Sequence, residues 1–158
     1  EAVATMDRVA TEVERDPVYI NILRAQRTEP EATGADAISA AARQIAETLK
    51  LAAICSFTAS GTTAMRAARE RPITPVLALS PVVGTARRLS LVWGLHCVVG
   101  EDGHNLSSMI DRACAVACEE GFAKPGDRII ITAGVPLGTP GATNLLRIAY
   151  ISDDLRAI

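Results

Sequence analysis

The stretch AAICSFTASGTTAMRAARERPITPVLALS, residues 52–80, decides the fold. It starts with a short apolar run at 52–58 and ends with a second one at 75–80. Between them lie a few small polar residues and a helical pattern that reaches about residue 71. Short continuous apolar runs are typical of strands that are buried on both faces, and a helix between two of them indicates a parallel crossover. The stretch therefore predicts a β-α-β unit.

The same alternation continues towards the C-terminus. A helix is expected at 85–93, a third strand at 95–99, a third crossover helix at 105–120 and a fourth strand at 128–133. This regular succession of strand and helix predicts a parallel sheet with helices on both faces.

The last strand, expected at 144–151, differs from the others in its connection. Only residues 134–143 separate it from the fourth strand, and this segment contains three glycines and two prolines. A parallel crossover usually needs a dozen or more residues and a helix. We therefore expect a hairpin-like return, and the predicted fold is a three-layer α/β/α domain whose five-stranded, mostly parallel sheet has one antiparallel edge strand.

Upstream of the sheet, the sequence predicts a separate helix and a linker. Residues 1–15 carry apolar side chains at steps of three and four, interleaved with charged ones, which is the pattern of an amphipathic helix. Pro17 and the stretch 27–34, rich in Glu, Thr and Pro, are typical of a linker. An alanine-rich helix at 36–50 then begins the α/β domain.

Length and composition restrict the class of protein. The 158 residues fit one domain of ordinary size. Sixteen Lys and Arg against eighteen Asp and Glu, with only 3% aromatic residues, argue against a nucleic-acid partner. No apolar run approaches the length of a membrane span and no signal peptide is recognisable, so we expect neither a membrane partner nor secretion. Four cysteines without a CxxC pair favour the reducing cytoplasm.

Few residues offer independent catalytic or metal chemistry. Cys114 and Cys118 would share a helix face, and a metal site with His96 or His104 is conceivable. Buried free cysteines acting as small hydrophobic residues are the more frequent case. We therefore expect no metal site.

The most promising site lies at the carboxyl ends of the strands. If the chain starts centrally and later moves to the other side, strand order reverses between the first and fourth strands, where ligands bind in open α/β sheets. The loops 58–63 and 134–143 would meet there. A glycine turn at a helix N-terminus, rich in hydroxyl groups, favours an anion such as phosphate, although ordinary capping by Ser60 or Thr62 without a ligand has the same signature.

Two groups of arginines lie near this loop in the sequence. Arg66, Arg69 and Arg71 fall on the helix after it, and Arg87 and Arg88 fall on the next one. They could supply positive charge to a phosphate, whereas solvated helix faces are the commoner explanation of such residues.

Six segments stand out along nearly the whole chain: EAVATM at 1–6, TASGTTA at 58–64, RERP at 69–72, LVWG at 91–94, GDR at 126–128 and GVPLGTPGATN at 134–144. In this order they closely resemble the C-terminal region of pyruvate kinase.

The resemblance implies a division of the chain and a parent enzyme. Residues 1–16 would be the remnant last helix of an upstream (β/α)8 barrel, 17–35 the linker, and 36–158 the C-terminal regulatory and assembly domain. The parent transfers phosphoryl from phosphoenolpyruvate to ADP with Mg²⁺ and a monovalent cation, K⁺, bound in the barrel. Because the catalytic residues belong to that barrel, we expect no cofactor and no catalysis in this chain.

The resemblance also implies an effector and assembly partners. In regulated relatives the loop matching 58–63 holds an effector phosphate, and the loop matching 134–143 closes beside it. The latter contains no cation here, so a monophosphorylated sugar or a nucleotide monophosphate is expected rather than a bisphosphate. The chain's own barrel and further copies of the C-terminal domain are the expected protein partners, and a free-standing phosphate-binding module is the alternative. The predicted effector-site residues are Thr58, Ser60, Gly61, Thr62, Thr63, Gly138 and Gly141.

Overall fold

The computed structural model describes residues 1–101, 105–136 and 143–152. Its helices are α1 (Ala2–Arg15), α2 (Pro17–Ala25), α3 (Gly34–Leu49), α4 (Thr62–Arg69), α5 (Val83–Leu89) and α6 (Leu106–Glu119). Its strands are β1 (Ala53–Phe57), β2 (Val76–Ser80), β3 (Leu95–Val99), β4 (Arg128–Gly134) and β5 (Thr143–Tyr150). No helix within these described ranges is long and apolar enough to cross a bilayer.

The five strands form one sheet in the order β3-β2-β1-β4-β5. All neighbouring pairs are parallel except β4 and β5, which are antiparallel. The predicted three-layer α/β/α fold with one reversed edge strand is therefore confirmed. The expected reversal of strand order between β1 and β4 is also present, because β2 and β3 lie on one side of β1, whereas β4 and β5 lie on the other.

Alternating side chains of β1 fill two separate cores. Ala53, Cys55 and Phe57 contact the buried face of α6, whereas Ile54 packs with α3 and α4 on the opposite face. All five residues of β1 are buried, and so are all five of β2. Burial on both faces explains why these strands are continuous apolar runs in the sequence.

Two boundaries differ from the sequence prediction. The first half of the predicted linker is helical, because the Asp16 carboxylate accepts the Val18 amide at 2.8 Å and Pro17 occupies the first helical position, where it loses no hydrogen bond. The predicted helix at 85–93 is also too long, since α5 ends at Leu89 and Leu91 is 89% exposed. Helices in proteins are stabilised mainly by tertiary packing, and a side chain this exposed provides none for a further helical turn.

A reciprocal cap begins α6 and gives a first testable effect. The Asn105 side chain accepts the Ser108 amide at 2.9 Å, and the Ser108 hydroxyl accepts the Asn105 amide at 3.1 Å. Asn105→Ala is expected to lower the free energy of unfolding by about 1 kcal/mol, measured by urea denaturation. Ser107→Ala, in the same exposed turn, is the matched control; an equal loss in both variants would contradict a specific capping effect.

Candidate functional site

The turn between β1 and α4 lies at the carboxyl end of the sheet, where strand order reverses. Gly61 has a φ of 97°, a left-handed conformation that glycine adopts far more readily than other residues. Its amide donates to the Thr58 hydroxyl at 2.9 Å. Thr58 therefore holds the sharp turn that brings the chain from the strand into the helix.

Hydroxyl groups connect this turn to the other side of the switch point. The Thr63 and Thr143 hydroxyl oxygens lie 2.8 Å apart in a buried contact, and those of Ser60 and Thr62 are also 2.8 Å apart at the surface. The structure thus brings the loop after β1 against the first residue of β5. Gly138 and Gly141, the other two predicted site residues, lie outside the described residues.

The amide groups of the turn are only partly available to a ligand. The Gly61 amide is occupied by Thr58, and the Thr62 amide has a long 3.5 Å contact with the Ser60 hydroxyl. Within the described residues, the amides of Thr63 and Ala64 donate to no acceptor. These two groups belong to the first turn of α4, where helix amides lack internal partners and the helix dipole is positive. They favour an anion.

Arg88 brings a positive charge to the same turn. Its Nη2 donates to the Ser60 carbonyl oxygen at 2.8 Å, across 28 residues of sequence. The sequence indicates two adjacent cations on this helix, but it does not distinguish which of them faces the loop. In the structure, Arg88 is the one that contacts the loop. Its exposed guanidinium has further N–H groups that could donate to another acceptor.

Arg66 and Arg69 of α4 have a different role from the one that their sequence positions suggest. Both pair with the Asp36 carboxylate of α3, Arg66 through Nε at 2.9 Å and Arg69 through Nη2. Asp36 is completely buried and also accepts the Glu31 amide at 2.9 Å. These arginines are therefore paired with a buried carboxylate and only partly exposed, so the interpretation of them as an ordinary solvated helix face is wrong.

The Asp36 carboxyl is ionised because of these partners. Burial alone raises the pKa of a carboxyl group, yet the Glu31 amide and the guanidinium groups of Arg69 and Arg66 together hold the pKa of Asp36 below its ordinary value. The resulting cluster, Asp36 with Arg66 and Arg69, ties α4 to the segment that precedes α3.

The cysteines and the described histidine offer little reactivity. Cys114 is buried in the core, and burial raises the pKa of its thiol to about 11. Burial likewise raises the pKa of Cys55. His96 Nε2 lies 2.7 Å from a Glu120 carboxylate oxygen at the opposite edge of the domain from β5. A thiol that keeps its proton at neutral pH is a poor nucleophile.

Comparisons with known proteins agree with this architecture. The family described as "Pyruvate kinase, alpha/beta domain" matches residues 36–149. A pyruvate kinase of Methylorubrum extorquens is 53% identical over 152 residues, which cover 96% of this chain and 32% of the relative. A pyruvate kinase of Agrobacterium vitis is 38% identical over 94% of this chain and 31% of its own length. A pyruvate kinase of Geobacillus stearothermophilus is 37% identical over 97% of this chain and 26% of its own length. The chain thus spans a third or less of these relatives.

Proposed function

Since this chain belongs to the pyruvate kinase family through its alpha/beta domain, we propose that it is the C-terminal regulatory and oligomerisation domain of such an enzyme. The whole enzyme would transfer phosphoryl from phosphoenolpyruvate to ADP, with Mg²⁺ and K⁺ held by residues of a barrel upstream of residue 1. The domain itself would bind a phosphorylated effector and bias that distant reaction.

The exposed face of α1 supports an upstream partner domain. Val3, Met6, Val9 and Val13 are 78%, 71%, 59% and 53% exposed, and no residue of α1 is buried. A contiguous apolar stripe of this kind marks an interaction surface. A free-standing binding module would be expected to cover it with its own body. A coding frame that continues upstream into a barrel would decide between the two possibilities.

The observation that carries the effector proposal is the convergence at the start of α4. Two amides without a described acceptor, two close pairs of hydroxyls and the Arg88 guanidinium lie around one turn. The two amides and the guanidinium can donate to a phosphate group, and each hydroxyl pair keeps one donor beyond its internal hydrogen bond. Residues 134–143 supply no Lys or Arg, which favours a single phosphate over a bisphosphate.

The route from this site to an active site would pass through α4. Its first turn would contact the effector, and its Arg66 and Arg69 contact the buried Asp36 near the linker. Arg27 of the linker pairs with Glu47 of α3 at 2.7 Å and also donates to the Arg71 carbonyl oxygen just after α4, at 3.4 Å. An effector that binds two positions of α4 unequally would therefore shift the linker and the upstream domain with it.

Assembly would use the reversed edge of the sheet. Among the described strands, β5 pairs only with β4, so its other edge presents backbone groups that no described strand pairs with. Tyr150 on this strand is 71% exposed, and Leu145, Leu146 and Ile148 are half-buried. We propose that a second copy of the domain covers this edge.

A thermal-shift titration tests the effector site. Inorganic phosphate, glucose 6-phosphate, fructose 1,6-bisphosphate and AMP are each titrated into the purified chain, and at least one is expected to raise the melting temperature saturably. Arg88→Ala should weaken that ligand about fivefold or more, since a charge-assisted hydrogen bond is lost. Arg87→Ala, which removes the neighbouring exposed guanidinium, should leave the affinity unchanged. Flat titrations, or equal losses in both variants, would contradict the proposal.

A further inference from the structure

The chain is fixed to the α/β domain just after the C-terminal end of α2. Arg27 lies two residues after this end, and its guanidinium pairs with Glu47 of α3 at 2.7 Å and donates to the Arg71 carbonyl oxygen at 3.4 Å. The Arg27 and Glu47 side chains are only 20% and 18% exposed. A little further along, the Glu31 amide donates to the buried Asp36 carboxylate. The segment that follows α2 is therefore attached to both α3 and α4.

The contacts of α2 itself with the domain are much weaker. Within the described residues, one hydrogen bond joins the two, in which the Trp93 indole donates to the Tyr19 hydroxyl oxygen at 3.3 Å. Leu23 is the one buried residue among the nine of α2, all of which are described, and α1 has none. Since buried apolar side chains are what normally keep a helix on a domain, α1 and α2 are weakly attached.

A cavity of about 440 Å³ lies between α2 and the domain. Its walls include Tyr19 and Leu23 of α2, and Pro72 and Trp93 of the loops that enter β2 and β3. Side chains at a tight helix contact interdigitate, and a space of this size forfeits part of their dispersion energy. The interface between α2 and the domain is thus incompletely packed.

Arg71 contacts both the fixed segment and the ring that Tyr19 binds. It lies two residues after the end of α4, and its carbonyl oxygen accepts from Arg27. Its guanidinium lies 4.6 Å from the centroid of the Trp93 ring, which is a cation–π contact. Trp93 therefore has a contact on the domain that does not depend on α2.

From these contacts we propose that α1 and α2 form an arm, residues 2–25, that undocks from the domain while the chain stays fixed at Arg27. In the docked state Tyr19 binds Trp93, and in the undocked state the Tyr19 hydroxyl is exposed to water while the Arg27 ion pair persists. Because Arg71 contacts both places, a shift at the end of α4 would change the balance between the two states. The inference rests on these contacts alone and does not require that an effector binds the turn after β1.

Hydrogen exchange measures the undocked state, because a nine-residue helix without packing is unstable in water and its amides then exchange. In the 158-residue chain, followed by NMR at neutral pH, the α2 amides should exchange faster than those of α3. Tyr19→Phe removes the hydrogen bond to Trp93 and keeps the ring, so it should raise the α2 exchange rates about two- to tenfold and leave those of α3 unchanged.

Tyr150→Phe is the matched control for Tyr19→Phe. It removes the hydroxyl of the only other tyrosine in the sequence, whose side chain is exposed on β5, and should change neither set of rates. Equal exchange of α2 and α3 in the native sequence would overturn the inference. So would an unchanged α2 rate in Tyr19→Phe, or an equal rise in α2 and α3, which would indicate a loss of global stability instead.

A second pair of variants tests whether the chain stays fixed at Arg27. Arg27→Gln removes the ion pair with Glu47 and should raise the exchange rate of the Glu31 amide as well as those of α2. Tyr19→Phe should leave the Glu31 amide unchanged; an equal rise there would mean that the whole segment detaches together. Arg24→Gln makes the same side-chain change at an exposed position of α2 and should alter neither rate. Equal effects of Arg24→Gln and Arg27→Gln would contradict the role of Arg27.

Discussion

Asp36→Ala is expected to lower the free energy of unfolding by about 3 kcal/mol at neutral pH. The substitution removes the common acceptor of Arg66 and Arg69 and leaves two guanidinium groups facing each other in a largely buried space. Their side chains are 24% and 35% exposed, so water offsets part of the loss and the value falls at the low end of the range for a broken buried pair. A melting-temperature decrease of roughly 6 to 12 °C should accompany it.

The pH dependence of this effect has a definite sign. Because the pKa of Asp36 is lowered on folding, the native state favours the ionised carboxylate. Its contribution to stability is fully present above the ordinary pKa of 3.8 and disappears as the pH falls through the lowered folded value. The difference between the native sequence and Asp36→Ala should therefore be constant near neutrality and shrink in strong acid.

Glu31→Ala is the control for Asp36→Ala. The Glu31 side chain is 70% exposed and its carboxylate lies 3.8 Å from Arg69, whereas its backbone amide, which binds Asp36, survives the substitution. The expected loss is below about 1 kcal/mol. Urea denaturation at pH values from about 3 to 8, which include the range where carboxyl groups titrate, measures the loss of unfolding free energy in both variants. A loss for Asp36→Ala no larger than that for Glu31→Ala would contradict a central role of the cluster.

The positions of the strands and the reversed direction of β5 could be predicted because they depend on local signals. Strands β1 and β2 are buried on both faces, so their sequences are almost continuous apolar runs. The reversed direction of β5 follows from the short, glycine- and proline-containing segment before it, which has no room for a crossover helix. Helix α2 is harder to predict, since Pro17 suggests a break unless the preceding Asp16 is recognised as its cap.

The partners of individual charged side chains could not be predicted in the same way. Asp36 lies in the first turn of an alanine-rich helix, where an acidic residue is usually explained by the helix dipole. Its burial against α4 depends on how α3 and α4 pack on one face of the sheet, where Asp36 meets Arg66 from 30 residues further along the chain. The distinction between Arg87 and Arg88 depends likewise on the rotation of α5. Sequence spacing indicates that both are on the surface and does not show which one reaches Ser60.

Gly61→Val is expected to destabilise the domain by roughly 2 to 4 kcal/mol, for two separable reasons. The left-handed φ of 97° is costly for a β-branched residue. In addition, a Cβ at this position would lie 3.2 Å from the Leu89 Cδ2 and 3.4 Å from the Thr85 Cγ2, so the Leu89 side chain would have to shift, and the methyl groups of valine add to this crowding. Gly84→Ala is the control, because its added Cβ meets no atom within 4 Å and lies within a helix. That variant should gain about 0.5 to 1 kcal/mol.

The same substitution should weaken anion binding through Arg88. A Cβ at residue 61 would also lie 3.5 Å from the Arg88 Nη2, the atom that donates to the Ser60 carbonyl oxygen. The larger valine would displace this guanidinium from the turn, although the Gly61 amide itself is occupied by Thr58 and does not face a ligand. Gly61→Val should therefore lower both the melting temperature and the phosphate-induced shift, whereas Arg88→Ala should lower only the shift. If Gly61→Val kept the native melting temperature, the turn would have to relax in solution, and glycine would not be needed for its shape.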